Sequence, residues 1–150
     1  MHDEEYMRVA LDMAKEAFKR GEVPIGAVLL HEGRILAKNH NRREELQDAT
    51  AHAEILVLRE AGKLLGGWRL LGTTLYVTLE PCPMCAGALV QARVSRLVYG
   101  TSDPKGGAAG SLYDIPRDPR LNHRLEVEEG FLKEESAALL QSFFQKRREK

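Results

Sequence analysis

The chain has 150 residues, 43% hydrophobic and 29% charged, which suits one domain with a sizeable core and excludes a disordered or fibrous chain. Its 22 basic and 22 acidic residues cancel to a formal charge of +0; an indiscriminate nucleic-acid binder would carry a basic excess, but an RNA held on a local patch remains open. No apolar run approaches the ~20 residues needed to cross a bilayer, so a membrane-spanning role is excluded.

The start, Met1-His2-Asp3-Glu4-Glu5, lacks the basic-then-apolar order of a signal peptide. With only two cysteines in the chain, a reducing, cytoplasmic setting is expected. From Asp3 to Arg20, residues Tyr6, Val9, Ala10, Met13, Ala17 and Phe18 recur at three- and four-residue steps, which predicts an amphipathic helix ended by Gly21. Ile25 to His31 reads as a buried strand, Glu32-Gly33 as a tight turn, and Arg34 to Asn39 as the paired hairpin strand. Asn39, His40 and Asn41 follow at the strand's end, where side chains commonly line sites. Arg42 to Asp48 is a polar connection that includes the basic pair Arg42-Arg43.

A helix is predicted over Ala49 to Ala61, with Asp48 or Thr50 able to cap it. A loop over Gly62 to Gly72 and a strand over Thr73 to Leu79 come next. Pro83 suits the first position of a helix running to about Gln91, and Val94 to Tyr99 reads as a fourth strand. That strand–helix–strand order implies a parallel pair with a right-handed crossover. Thr101 to Pro119 is irregular and glycine-rich. In Lys105-Gly106-Gly107-Ala108-Ala109-Gly110-Ser111 the lysine precedes the glycines, the wrong order for a phosphate-binding P-loop, so the segment reads as a flexible loop beside a site. Leu125 to Val127 fits a short fifth strand. Phe131 to about Arg147 fits a final amphipathic helix, ending in the basic cluster Lys146-Arg147-Arg148. With no repeat, low-complexity tract or linker, residues 1–150 read as a single domain.

Both cysteines fall in Pro81-Cys82-Pro83-Met84-Cys85. At i and i+3 they share one face of a helical turn, and the N-terminal end of the helix dipole favours thiolate. His52 is the natural third ligand. Two Cys and one His give zinc three protein ligands and leave one position for water. Glu54, two residues from His52, is placed to handle that water's proton. On an ideal helix His52 and Glu54 stand about 200° apart, a conflict relieved if His52 lies in the first turn. A redox Cys-x-x-Cys and half of a structural zinc site are the alternatives. The first lacks a thioredoxin-like βαβ context and the second lacks a fourth ligand. Activated water, a proton-carrying carboxylate and an electrophilic carbon together make hydrolytic deamination of an amidine-like ring carbon, the chemistry of zinc-dependent base deaminases.

The chain resembles the bacterial tRNA-specific adenosine deaminases of the cytidine/deoxycytidylate deaminase superfamily. The matching stretches are Glu22 to Val28, Asn41-Arg42, Thr50 to Ile55, Leu79 to Ala88, Asp103 to Leu112 and Asn122-His123-Arg124. The zinc motif is shared with cytidine and guanine deaminases, whereas Asp103 to Leu112 and the Phe-Phe with basic residues near the C-terminus are particular to the tRNA enzymes. The resemblance implies an α/β fold, a cytidine-deaminase-like three-layer α/β/α arrangement around a five-stranded mixed sheet, working as a homodimer. It implies one Zn2+ per chain held by His52, Cys82 and Cys85, with Glu54 as proton shuttle. It also implies that Asn41 hydrogen-bonds the target nucleotide, and that Asp103, Lys105, Phe144 and Arg147 lie in regions holding a tRNA anticodon stem-loop. One of Phe143 and Phe144 is expected in the core. The implied reaction converts the wobble adenosine of an arginine tRNA to inosine. A deaminase of free cytosine, cytidine or guanine, and a non-enzymatic zinc-stabilised binding module, remain as alternatives.

Overall fold

The computed structural model of the protein describes residues 3–148. In chain order these form α1 (Asp3–Lys19), β1 (Gly26–His31), β2 (Arg34–His40), α2 (Arg43–Leu46), α3 (Ala53–Leu65), β3 (Thr73–Leu79), α4 (Pro83–Gln91), β4 (Arg96–Thr101), β5 (Glu126–Glu129) and α5 (Lys133–Arg148). The β1–β2 hairpin turns through Glu32 and Gly33, at φ 52° and 76°. Two successive left-handed residues are what a two-residue hairpin turn needs to match the twist of its strands. β1 also pairs antiparallel with β3, while β3–β4 and β4–β5 are parallel, giving the order β2-β1-β3-β4-β5. This is the five-stranded mixed sheet that the resemblance implies, with α4 as the crossover of the parallel pair.

Successive strand side chains point to opposite faces, and each face meets its own helices. Val28, Tyr76 and Val98 pack with Tyr6, Met7 and Ala10 of α1. The intervening positions Leu29, Leu75, Val77 and Leu97 pack with Val57 and Ala61 of α3 and Leu89 and Val90 of α4. α5 lies on the α1 side, where Phe143 meets Phe18 edge-to-face with centroids 5.9 Å apart. The result is the expected three-layer α/β/α arrangement. Among the described residues no helix is long and apolar enough to cross a membrane.

Several boundaries differ from the sequence reading. α3 begins at Ala53, not Ala49, because Asp48 folds residues 48–51 into a turn of its own: its carboxylate accepts from the Thr50 N–H and hydroxyl, and its carbonyl from the Ala51 N–H. At the other end α3 passes through Gly62 and stops four residues later than Ala61, at Leu65, capped by Gly66, whose φ of 73° lets its N–H turn back to the Gly62 carbonyl. The polar connection contains the single turn α2, which Glu22 caps by accepting from the Glu44 and Glu45 N–H groups. β4 is shifted to Arg96–Thr101 by its pairing with β3, and β5 to Glu126–Glu129 by its pairing with β4.

α1 approaches β1 so closely that a Cβ on Gly26 would stand 2.0 Å from the Ala10 carbonyl oxygen and 2.6 Å from the Ala14 nitrogen. Both neighbours are backbone and cannot swing aside. Gly26→Ala is therefore expected to destabilise the fold by about 3 kcal/mol, the upper part of the usual overpacking range. The urea midpoint of the variant against the parent measures this.

Candidate active and metal site

α3 and α4 lie on the same face of the sheet, and each opens on a side chain able to bind a metal. His52 is the residue before α3, with extended φ and ψ of −75° and 151°. Cys82 holds the same place before α4 (−74°, 172°), with Pro83 just inside the helix. Because His52 precedes the helix, the angular conflict with Glu54 does not arise. Asn41, arriving from the end of β2, fixes this start: its buried Oδ1 accepts from the Ala53 N–H at 2.9 Å.

His52 Nδ1 stands 3.7 Å from Cys82 Sγ and 3.5 Å from Cys85 Sγ, and the three ligand atoms lie within 4.8 Å of one another. Zinc at ~2.3 Å from sulfur and ~2.0 Å from nitrogen in a tetrahedron requires nitrogen–sulfur edges of about 3.5 Å. The trio therefore fits such an ion, and Nδ1 is the nitrogen that faces both sulfurs. In the protein itself Cys82 is pulled down to about 4, first by the hydrogen bond from Cys85, with His52 and the Cys85 N–H assisting. Cys85 is pushed up by that same shared proton and by burial. A dication bound here displaces that proton.

Glu54 sits in the first turn of α3 and is 4% exposed. Burial pushes its carboxyl up to about 7 against the opposing pull of His52, a value suited to taking up and releasing a proton near neutrality. Glu54 shares a 140 Å³ cleft with Asn41, His52, Cys82, Val23 and Asp103. Val23, Arg43, Leu79 and Asp103 belong also to an adjoining 550 Å³ groove, whose far side is Gln141 and Phe144 of α5. The cleft is thus continuous with a larger open groove.

The residues singled out from the sequence separate into three places. His52, Glu54, Cys82 and Asn41 meet in the cleft, with Cys85 buried behind it. Asn41 is both cleft wall and helix anchor. Asp103 stands at the junction of cleft and groove, and its Oδ1 also folds its own loop by accepting from the Lys105 and Gly106 N–H groups. Of the phenylalanine pair, Phe143 is core and Phe144, 45% exposed, lines the groove. Lys105 is exposed on the loop outside the cleft lining, and the Arg147 guanidinium lies 5.0 Å from the centre of the Phe143 ring.

Sequence reasoning missed Arg43, Val23 and Glu80. Arg43 was weighed only as part of a basic pair. Glu80, at the end of β3, is 2% exposed; burial raises its pKa, but hydrogen bonds from Ser111, Asp103 and Ala109 outweigh burial and leave it lowered. An acidic residue directly between an apolar strand and Pro81-Cys82 was the available signal.

A family model described as MafB19-like deaminase matches residues 1–148. The tRNA-specific adenosine deaminase of Bacillus subtilis (strain 168) is 55% identical over 148 residues, 99% of this chain and 92% of that protein. A solved structure from studies of A-to-I editing by tRNA:A34 deaminases at the wobble position of transfer RNA is 51% identical, covers 91% of this chain and 99% of its own, and superposes with a TM-score of 0.88. The guanine deaminase of Nitrosomonas europaea is more distant: 25% identical, with a TM-score of 0.78 over 95% of this chain and 84% of that one. Sequence, architecture and the His–Cys–Cys geometry agree, and the chain belongs to the MafB19-like deaminase family, on the branch of the tRNA-specific adenosine deaminases.

Proposed function

We propose that this protein hydrolytically deaminates adenosine to inosine at the wobble position of a tRNA, the arginine tRNA anticodon being the substrate the family resemblance implies. It does so in the cytoplasm, with one zinc ion per chain on His52, Cys82 and Cys85. The observation that carries the choice of substrate is the open mouth of the cleft. A free base calls for a closed pocket, whereas here the wall of the catalytic cleft continues into a 550 Å³ groove. That groove offers the Arg43 cation, polar Ser102 and Gln141, and the exposed Phe144 ring. Single-stranded RNA is read by such surfaces, with splayed bases stacking on aromatic rings and cations meeting phosphate. A wobble base already lies in a loop, so drawing it into the cleft costs less than flipping one out of a duplex.

The chemistry supplied by zinc, when bound, is Lewis-acid activation of water, whose pKa falls from 15.7 to about 7. The chain's own groups do the rest. Asn41 and the cleft walls hold the base, with Asp103, Lys105, Phe144 and Arg147 serving the RNA around it. Glu54 takes a proton from the water that adds to the amine-bearing ring carbon. It returns that proton to a ring nitrogen and passes the next to the departing amine, so that adenosine and water give inosine and ammonia. A buried carboxyl lining the cleft can both accept and donate in that sequence.

A homodimer belongs to the same reading. A 660 Å³ groove between α3 and α4, lined by Leu58, Trp68, Leu70 and Ala88 among others, lies apart from the metal trio. Leu64, Leu65, Trp68 and Leu71 are exposed beside it. An apolar face of this kind supports association with a second copy.

Incubating the zinc-loaded protein with a minimal anticodon stem-loop should yield inosine; turnover of free cytidine or guanine with no inosine in the stem-loop would refute the reading. Glu54→Ala should keep its zinc and lose turnover on the order of 10³-fold, with metal content and rate measured on the same sample. Cys82→Ala should lose zinc and thermal stability together, because coordination contributes to folding; metal analysis beside a melting curve decides it. Trp68→Glu should shift the protein from dimer to monomer in sedimentation equilibrium.

A further inference from the structure

The buried carboxylate of Glu80 closes β3, yet its hydrogen-bond partners all lie in the loop that follows β4. The Asp103 N–H donates to Oε1 at 3.0 Å, and the Ser111 hydroxyl donates to the same oxygen. The Ala109 and Ser111 N–H groups donate to Oε2 at 2.9 and 3.0 Å. The Ala108 N–H donates to the Pro81 carbonyl at 2.8 Å, one residue before Cys82. Gly107 lies flat against the carboxylate: a Cβ there would stand 2.3 Å from Glu80 Cδ and 2.4 Å from both its oxygens. Gly107 in this loop thus has a steric cause. The chain wraps a single acidic group, and a side chain at Gly107 would occupy that group's space.

We propose that Glu80 is a positioning residue for substrate binding, its carboxylate holding the 102–112 loop so that Asp103 stands at the mouth of the catalytic cleft. The inference rests on the reading that this rim receives RNA. Donors and acceptor lock one another. The carboxylate without the loop is a buried charge lacking partners, and the loop without the carboxylate leaves three backbone N–H groups unpaired. Hydrogen bonds to an ionised acceptor are also the stronger kind.

The bond pattern dictates how substitution acts. In Glu80→Gln the amide NH2 must replace one oxygen. At Oε2 it would face two backbone N–H donors, so it settles at Oε1. There the Ser111 hydroxyl can rotate to accept, while the Asp103 N–H loses its acceptor. The variant frees the Asp103 end of the loop and leaves the metal ligands in place. Gly107→Ala perturbs the same contact from the opposite side.

The test compares the zinc-loaded full chain with Glu80→Gln, Gly107→Ala and the milder Ser111→Ala, which removes only the hydroxyl bond. Steady-state kinetics on the anticodon stem-loop are read beside residue-resolved amide exchange and zinc content. Glu80→Gln and Gly107→Ala should raise KM roughly tenfold, the loss of one hydrogen bond to a charged group, with kcat much less affected and zinc unchanged. Exchange should accelerate at Asp103 in Glu80→Gln, with Ala109 and Ser111 less affected, and at all three in Gly107→Ala, while Ser111→Ala should move each readout the same way by less. Parental exchange in all three variants overturns the inference. So does parental KM despite faster exchange, or loss of zinc with collapse of kcat, which would assign Glu80 to the metal site. Asp103→Ala separates the two readings: an unchanged KM there overturns the RNA rim, and the exchange data alone then decide whether Glu80 holds the loop.

Discussion

Two helices begin at one place, and the chemistry depends on it. His52 before α3 and Cys82 before α4 lie side by side, so the positive dipole ends of both helices meet beside the imidazole and the two sulfurs. Helix starts favour negative charge, and the Cys82 thiolate is negative charge. The sheet enforces the convergence. α4 is the crossover between parallel strands β3 and β4, which must start where β3 ends, and α3 packs beside it over the same apolar face. Asn41, anchored on the Ala53 N–H, ties the end of β2 to this point.

Two buried carboxylates flank the ligands, each two residues from one of them, and their surroundings separate them. Glu54 is buried, and because desolvation outweighs its backbone hydrogen bond and the pull of His52 it rises to about 7. Glu80 is equally hidden but accepts four hydrogen bonds and is lowered. The first can carry a proton; the second stays ionised and organises backbone. Placing two chemically identical groups in opposite environments is how one site obtains distinct roles from the same side chain.

Local pattern made much of this visible. The three-residue spacing of Cys82 and Cys85 and the helical start at Pro83 are properties of one turn. The β-branched and aromatic content of β3 and the three- and four-residue steps of α1 are read in the same way. Each signal is complete within a few neighbouring residues. The start of α3 was misplaced for the converse reason: residues from Ala49 suit a helix by propensity, and the Asp48 turn overrode them.

The sequence by itself determined the α/β class and put forward the candidate metal donors and proton carrier, because residue chemistry at short spacing leaves few other uses for a His-x-Glu and a Pro-Cys-x-x-Cys. Only the tertiary structure decided that Phe143 is core while Phe144 faces the groove, that Arg43 and Val23 reach the cleft, and that Glu80 holds a loop more than twenty residues away in sequence. Those outcomes depend on which surfaces meet after the sheet closes. Contacts between distant segments carry no fixed spacing, and a sequence read locally has no period in which to record them.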